Sequence, residues 1–247
     1  MVSPSASPVH RLPLQPLTAV AVLKMISKPE LAAMNLARLV EVDPALSATV
    51  LRMANSPLFG FGGRVSSARQ ATVLLGTKTV GSLAVGGTAS LVFGTTDART
   101  IPGFWAHAVT VACASATVAR FQGVNPEDAF TAGLLHNAGI LTISDDSADD
   151  PDDRCGAERS SDLLHSWGLP TPLVRAVRMH NARREGVTDP LALAVLIGHA
   201  LAPAVEETRP TAGINPREAF SAIGGEVIAS IRREVDAIAK FLEAEAA

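Results

Sequence analysis

The chain has 247 residues, 47% hydrophobic and 18% charged, with a formal net charge of −3. That is enough apolar material for one large domain or two small packed ones, and it excludes a chain that is mostly disordered. With no tyrosine, 4% aromatic residues and no basic excess, the composition offers neither stacking platforms nor counter-charge for phosphates, so no nucleic-acid partner is expected.

The opening MVSPSASPVHRLPLQP is rich in Ser and Pro and has no apolar run of the leader type, so residues 1–11 read as a flexible lead-in. Helical spacing then predicts helices over 15–27 and 30–42. Asp43-Pro44 opens the next, 44–55: the carboxylate can accept free N–H groups, and Pro suits a first position whose donor has no partner anyway. Pro57 should stop that helix near Asn55, and FGFGG (59–63) reads as a plain turn. Ser67 and Gln70 form a capping-box pattern ahead of helices over 67–75 and 77–94. LLGTKT (74–79) lies between those two and lacks both the spacing and the preceding strand of a phosphate loop.

Further helices are predicted over 103–122, 126–143, 158–167, 171–183, 189–203, 216–222 and 225–245. SDDSADDPDDRCGAE (144–158) breaks this series as a charged connector, without the positional pattern or glycine of a calcium loop. No succession of alternating β-branched runs occurs, so the fold class is all-α. The weakly polar runs at 80–94 and 191–205 fall short of the ~20 residues of a bilayer span, so no membrane association is expected. Cys113 and Cys155 show no paired ligand spacing and read as reduced bystanders in a cytoplasmic protein. GVNPEDAF (123–130) and GINPREAF (213–220) share helix-end chemistry rather than a duplicated unit. Arg183-Arg184 and Arg232-Arg233 read as solvated helix faces.

The histidines carry the strongest signal. His107 is in phase with Phe104, Val111 and Val118, and His136 with Gly133, Ile140 and Ile143. His180 follows Leu173 and Val177, and His199 follows Ala192, Val195 and Leu196. One histidine on an apolar face is ordinarily a core residue with satisfied nitrogens. Four, each pointing inward from a different predicted helix, suggest a shared polar pocket between helices. His136 and its neighbour Asn137 fall in the middle of the predicted 126–143 helix, within GLLHNAGIL.

Five segments extend the picture: LARLVEVDPALSATVLRMANSPLFG (36–60), VSSARQATVLLGTKTVGSLAVG (65–86), FWAHAVTVACASATVA (104–119), NPEDAFTAGLLHNAGIL (125–141) and LLHSWGLPTPLVRAVRMHN (163–181). Through them, residues 12 to about 205 resemble the HDOD domain, the HD-related output domain of bacterial signalling proteins, itself similar to HD and HD-GYP phosphohydrolases. The resemblance implies an HD-like multi-helix bundle (101–205) preceded by a smaller helical subdomain (12–100), with 206–247 as a C-terminal helical extension. In the hydrolytic relatives the site is an early histidine, a His-Asp pair and a late aspartate. By position these fall on His107, on His136-Asn137 and on His199; the additional HD-GYP histidine falls on His180, followed by Asn181, and another falls on Gly156.

Both carboxylates of a two-metal centre are thus replaced. A carboxylate can ligate or bridge two cations and cancel part of their charge, whereas asparagine offers only a neutral carbonyl oxygen. The resemblance therefore implies a catalytically inactive relative of the HD enzymes: no catalytic residues, no cofactor and no resident metal, with His107, His136, Asn137, His180 and His199 lining a vestigial pocket. A single zinc-like ion on His107, His136 and His199 is the weaker reading. The expected function is a regulatory module acting through a protein partner. The alternatives are a degenerate metal-dependent phosphohydrolase and a pocket that binds a nucleotide without cleaving it. In the last predicted helix Val227, Ile231, Val235 (or Ile238) and Leu242 keep approximate helical phase; packing back on the domain is its first expected role, homodimer formation its second.

Overall fold

The computed structural model describes residues 14–27, 32–60, 62–92, 103–142, 154–183, 186–206 and 225–247. Its helices in chain order are α1 (Pro16–Ser27), α2 (Ala32–Val42), α3 (Pro44–Ala54), α4 (Ala68–Val92), α5 (Phe104–Gln122), α6 (Pro126–Leu135), a 3₁₀ turn (Ala138–Thr142), α7 (Arg154–Ser166), α8 (Thr171–Arg178), α9 (Pro190–Val205) and α10 (Gly225–Ala246). No strand occurs among the described residues, so the molecule is all-α, and none of these helices is long and apolar enough to cross a membrane. The predicted 216–222 helix and GINPREAF lie outside the described residues.

The capping residues do what their chemistry requires. Asp43 accepts from the backbone N–H groups of Ala45 and Leu46, and Asn125 accepts from that of Glu127, each just before a proline at the first helical position. Ser67 accepts from the Gln70 N–H at 3.1 Å, as its capping-box spacing predicts. Between the helices predicted at 67–75 and 77–94 the structure has one element, α4, broken at Gly76 by a backbone at φ 76° and ψ 156° that only glycine adopts without strain. Gly60, Gly62 and Gly63 all have positive φ, as the turn suggested by FGFGG requires, with Phe61 outside the described residues.

Asp43 carries a measurable cost. It is completely buried, and although it also accepts the Gln15 N–H at 2.9 Å, burial pushes its carboxyl up to about 6. Since the folded value lies above the unfolded one, the folded state binds the extra proton between about pH 4 and pH 6, and stability falls as pH rises through that window. The expected amplitude is about 3 kcal/mol. Asp43→Asn keeps the cap oxygen and removes the charge, so its stability relative to wild type should rise from pH 4 to pH 6 and level off above. Urea melts of the two proteins across that range measure the difference; a constant offset refutes it.

The centre of the molecule is α5, buried without interruption from Ala108 to Ala119. A helix buried all round belongs in a core, and its side chains here are mostly Ala, Val, Thr, Ser and Cys. Such small residues let neighbours come close: α5 packs most extensively against α9 and α6. A Cβ added at Gly133 of α6 would lie 2.9 Å from both Ala112 Cα and Val111 O, and one at Gly198 of α9 would lie 2.6 Å from Ser115 N. Glycine at these two points sets the helix separation. A second buried cluster joins α1–α4 to α6, α8 and α9, so the core draws on both segments read as subdomains.

The C-terminal helix packs back on the domain, against α1, α5 and α9, with Ile231 and Leu242 buried. Lys24 Nζ donates to the Ala246 carbonyl at 2.7 Å and Asn35 to Glu245 at 3.0 Å. Arg232 corrects the reading of Arg232-Arg233 as a solvated pair: its guanidinium donates to the carbonyls of Ala204 (2.7 Å) and Val205 (3.1 Å). These are orphan acceptors at the end of α9, which a cation satisfies well.

Candidate functional site

α5, α6, α8 and α9 converge on the four histidines. Ring centroids lie 5.2 Å apart for His107 and His136, 5.3 Å for His136 and His199, and 5.7 Å for His107 and His199. The His180 ring meets its neighbours edge to face, with centroids 4.8 Å from His136 and 4.9 Å from His199. His136, His180 and His199 are buried, while His107 is partly open to solvent and forms the rim. The shared pocket inferred from register is therefore a single cluster.

Three expectations about the local structure need correction. The predicted 126–143 helix stops at Leu135, so His136 and Asn137 sit in a turn at its end rather than mid-helix. The chain tightens into the 3₁₀ turn because Gly139 comes against the α7 backbone: a Cβ there would meet Arg159 C at 2.8 Å. Its N–H donates to Ser160 Oγ at 3.0 Å. Likewise α8 ends at Arg178, not 183, and His180 follows in a turn. The segment read as a connector, 144–158, already becomes helical at Arg154, so Gly156 lies on α7; residues 144–153 are outside the described ones.

Each ring is held by one of its nitrogens. His136 Nδ1 donates to the Gly133 carbonyl at 2.7 Å, and His180 Nδ1 does the same to Val177 O at 2.7 Å. Both close the last turn of the helix before them with an imidazole, a common way to satisfy a C-terminal carbonyl. The His199 ring bonds the His180 backbone, and His107 Nδ1 lies 3.0 Å from Glu206 Oε1. Glu206 carries no motif or periodic signal in the sequence; it is the residue after α9, at the α9 end capped by Arg232.

His107, His136 and His199 bring one candidate ligand atom each to within 4.8 Å of one another. They are the one group of this kind among the described residues. His136 Nε2 and Asn137 Oδ1 are buried without a hydrogen-bond partner. Burial, then the adjacent His180, His199 and His107 rings, hold His136 well below the ordinary imidazole value; burial, then His180 and His107, do the same for His199. Both are therefore neutral near pH 7 and present lone pairs. Such a donor set suits a borderline ion such as zinc and not the hard, oxygen-seeking magnesium or calcium.

Away from the histidines, a cavity of about 500 Å³ lies between α2, α4, α5, α6 and α10. Three arginines and three glutamates line it, and Arg69 and Arg120 are paired with Glu41 and Glu234 at 2.8 and 3.4 Å. It has no net positive lining for a phosphate. Cys113 on its wall is buried, and that burial pushes the thiol up to about 12, which makes it an inert bystander.

The model of the HDOD domain matches residues 12–159. The fold is similar to that of the MmoQ response regulator from Methylococcus capsulatus, at 24% identity and a TM-score of 0.71, covering 92% of this chain and 99% of that one. It is also similar to a virulence factor, cj0248, from Campylobacter jejuni, at 16% identity and a TM-score of 0.60, covering 96% and 93% of the two chains. No curated protein matches the sequence.

Proposed function

The chain belongs to the HDOD family, and from that premise we propose that it is a regulatory module of bacterial signalling that acts by contact with a protein partner and hydrolyses nothing itself. One observation carries the reading: where the hydrolytic relatives have a His-Asp pair this chain has His136-Asn137, and the group able to hold a metal is three imidazoles with no carboxylate among them. Two bridged cations would place about four positive charges in a buried site with no anionic ligand to offset them, and without that pair the water-activating and leaving-group roles of a two-metal mechanism have no support. The name of the similarly folded MmoQ, a response regulator, agrees with a signalling role.

The test has two arms. The purified chain, supplied with Mn²⁺, Fe²⁺, Mg²⁺ or Zn²⁺, is expected to turn over no phosphomonoester, nucleotide or cyclic dinucleotide above the buffer blank. Affinity capture after cross-linking in the native cell is expected to yield a stoichiometric protein partner. Metal-stimulated phosphodiester cleavage that His136→Ala abolishes would overturn the proposal.

A further inference from the structure

The cluster is more ordered than a relic needs to be. When a catalytic site decays, its buried polar groups are expected to find partners or give way to apolar ones, because an unpartnered buried group costs about 1–3 kcal/mol. Here His136 is fully buried, its Nδ1 is tied to Gly133 O, and its Nε2 has no hydrogen-bond partner. His107 and His199 are fixed in the same manner, by Glu206 and by the His180 backbone. An oxygen acceptor on one ring nitrogen fixes the tautomer and leaves the other as a directed lone pair, which is how metal-bound histidines are held. Glu206 is the carboxylate of this arrangement, set one shell further out than the lost aspartates.

The geometry points to a single resident ion of zinc-like chemistry, held by the imidazoles of His107, His136 and His199, with Glu206 as the residue that positions His107 and lends the site its negative charge. The three donor atoms lie within 4.8 Å of one another. Zinc–nitrogen bonds of ~2.0–2.1 Å in tetrahedral geometry need donors ~3.4 Å apart, so each ring moves inward by less than about 1 Å. His180 walls the site on the α8 side, and the partly exposed His107 leaves a way in for the ion. Such an ion clips α5, α6 and α9 together, and its presence or absence gives the helix bundle two states of different rigidity. This inference does not depend on the regulatory reading: it concerns binding, and either can fail alone.

The experiment uses the full chain without an affinity tag, stripped by a chelator and titrated with Zn²⁺ by calorimetry, with elemental analysis of the dialysed product. One zinc per chain and a raised Tm are expected, and Co²⁺ in its place should show the intense visible bands of a tetrahedral site. His107→Ala at the rim should lose stoichiometric binding while its own melting curve shows that it folds. Glu206→Gln should keep the metal-free Tm and weaken zinc by about 10–100-fold. His165→Ala, on an exposed face of α7, should bind as wild type does. No bound zinc after dialysis, or equal binding by wild type, His107→Ala and His199→Ala, overturns the proposal.

Discussion

Gly198→Ala is expected to destabilise the protein by about 3 kcal/mol or more, a large effect for one added methyl group. Alanine is the better helix former by nearly 1 kcal/mol, so in open space the exchange would stabilise α9. At this position the new carbon would lie 2.6 Å from Ser115 N and 2.8 Å from Ser115 Cα, inside contact distance of backbone that cannot rotate away. Relief requires α5 and α9 to separate along a completely buried seam, and the clash term wins. Two comparisons isolate the cause. Gly86→Ala, in α4 with nothing within 4 Å of the new carbon, should be neutral or stabilising. Ser115→Gly should fail to rescue Gly198→Ala, since the obstruction includes main chain. Chemical denaturation of the four proteins decides it; a Gly198→Ala protein as stable as wild type would mean that the two helices do not touch there. Because His199 is the next residue, the same separation should also pull its ring from the cluster.

Asn55→Ala is expected to cost about 3 kcal/mol. The side chain, buried at the end of α3, donates to Leu51 O at 3.0 Å and to Val65 O at 2.8 Å, and accepts the Val65 N–H at 3.0 Å. It thus serves both backbone groups of a buried residue across the turn that contains FGFGG, in place of a strand partner. Removing it leaves the buried Val65 N–H and C=O to find other partners, while Leu51 O keeps the backbone N–H of residue 55 at 2.9 Å. Asn55→Asp retains the acceptor but sets a carboxylate against two carbonyls, so it should be no better than alanine above its titration range and should recover in part as pH falls. Urea melts at pH 5 and pH 7 read both effects. Loss of under about 0.5 kcal/mol in Asn55→Ala, the level of an ordinary surface change, would refute the clamp.

Both variants act on features only half legible in the sequence. The end of α3 near Asn55 follows from Pro57, but nothing local says that the asparagine reaches ten residues ahead to Val65, because that bond needs the turn between them to close. The inward faces of His107 and His199 are a matter of period and were readable. The turns that carry His136 and His180 were not, since α6 and α8 stop for reasons that lie elsewhere: Gly139 meets the α7 backbone, and each imidazole takes a carbonyl of its own last turn. After α6 the periodicity runs on past that point because residues such as Ile140, Leu141 and Ile143 remain apolar, and after α8 no proline or glycine marks the stop before Arg183. Glu206 gave no signal at all. Its meaning depends on the end of α9 lying beside the first turns of α5, a contact between residues 99 positions apart.

That contact makes the C-terminal helix a latch on the histidines. Arg232 of α10 grips the final carbonyls of α9, and the next residue along, Glu206, steers the His107 ring. A protein that docked on α10 and drew it outward would loosen that last turn and let the carboxylate swing, so an event at the surface of the domain would reach its most deeply buried polar atoms through two side chains.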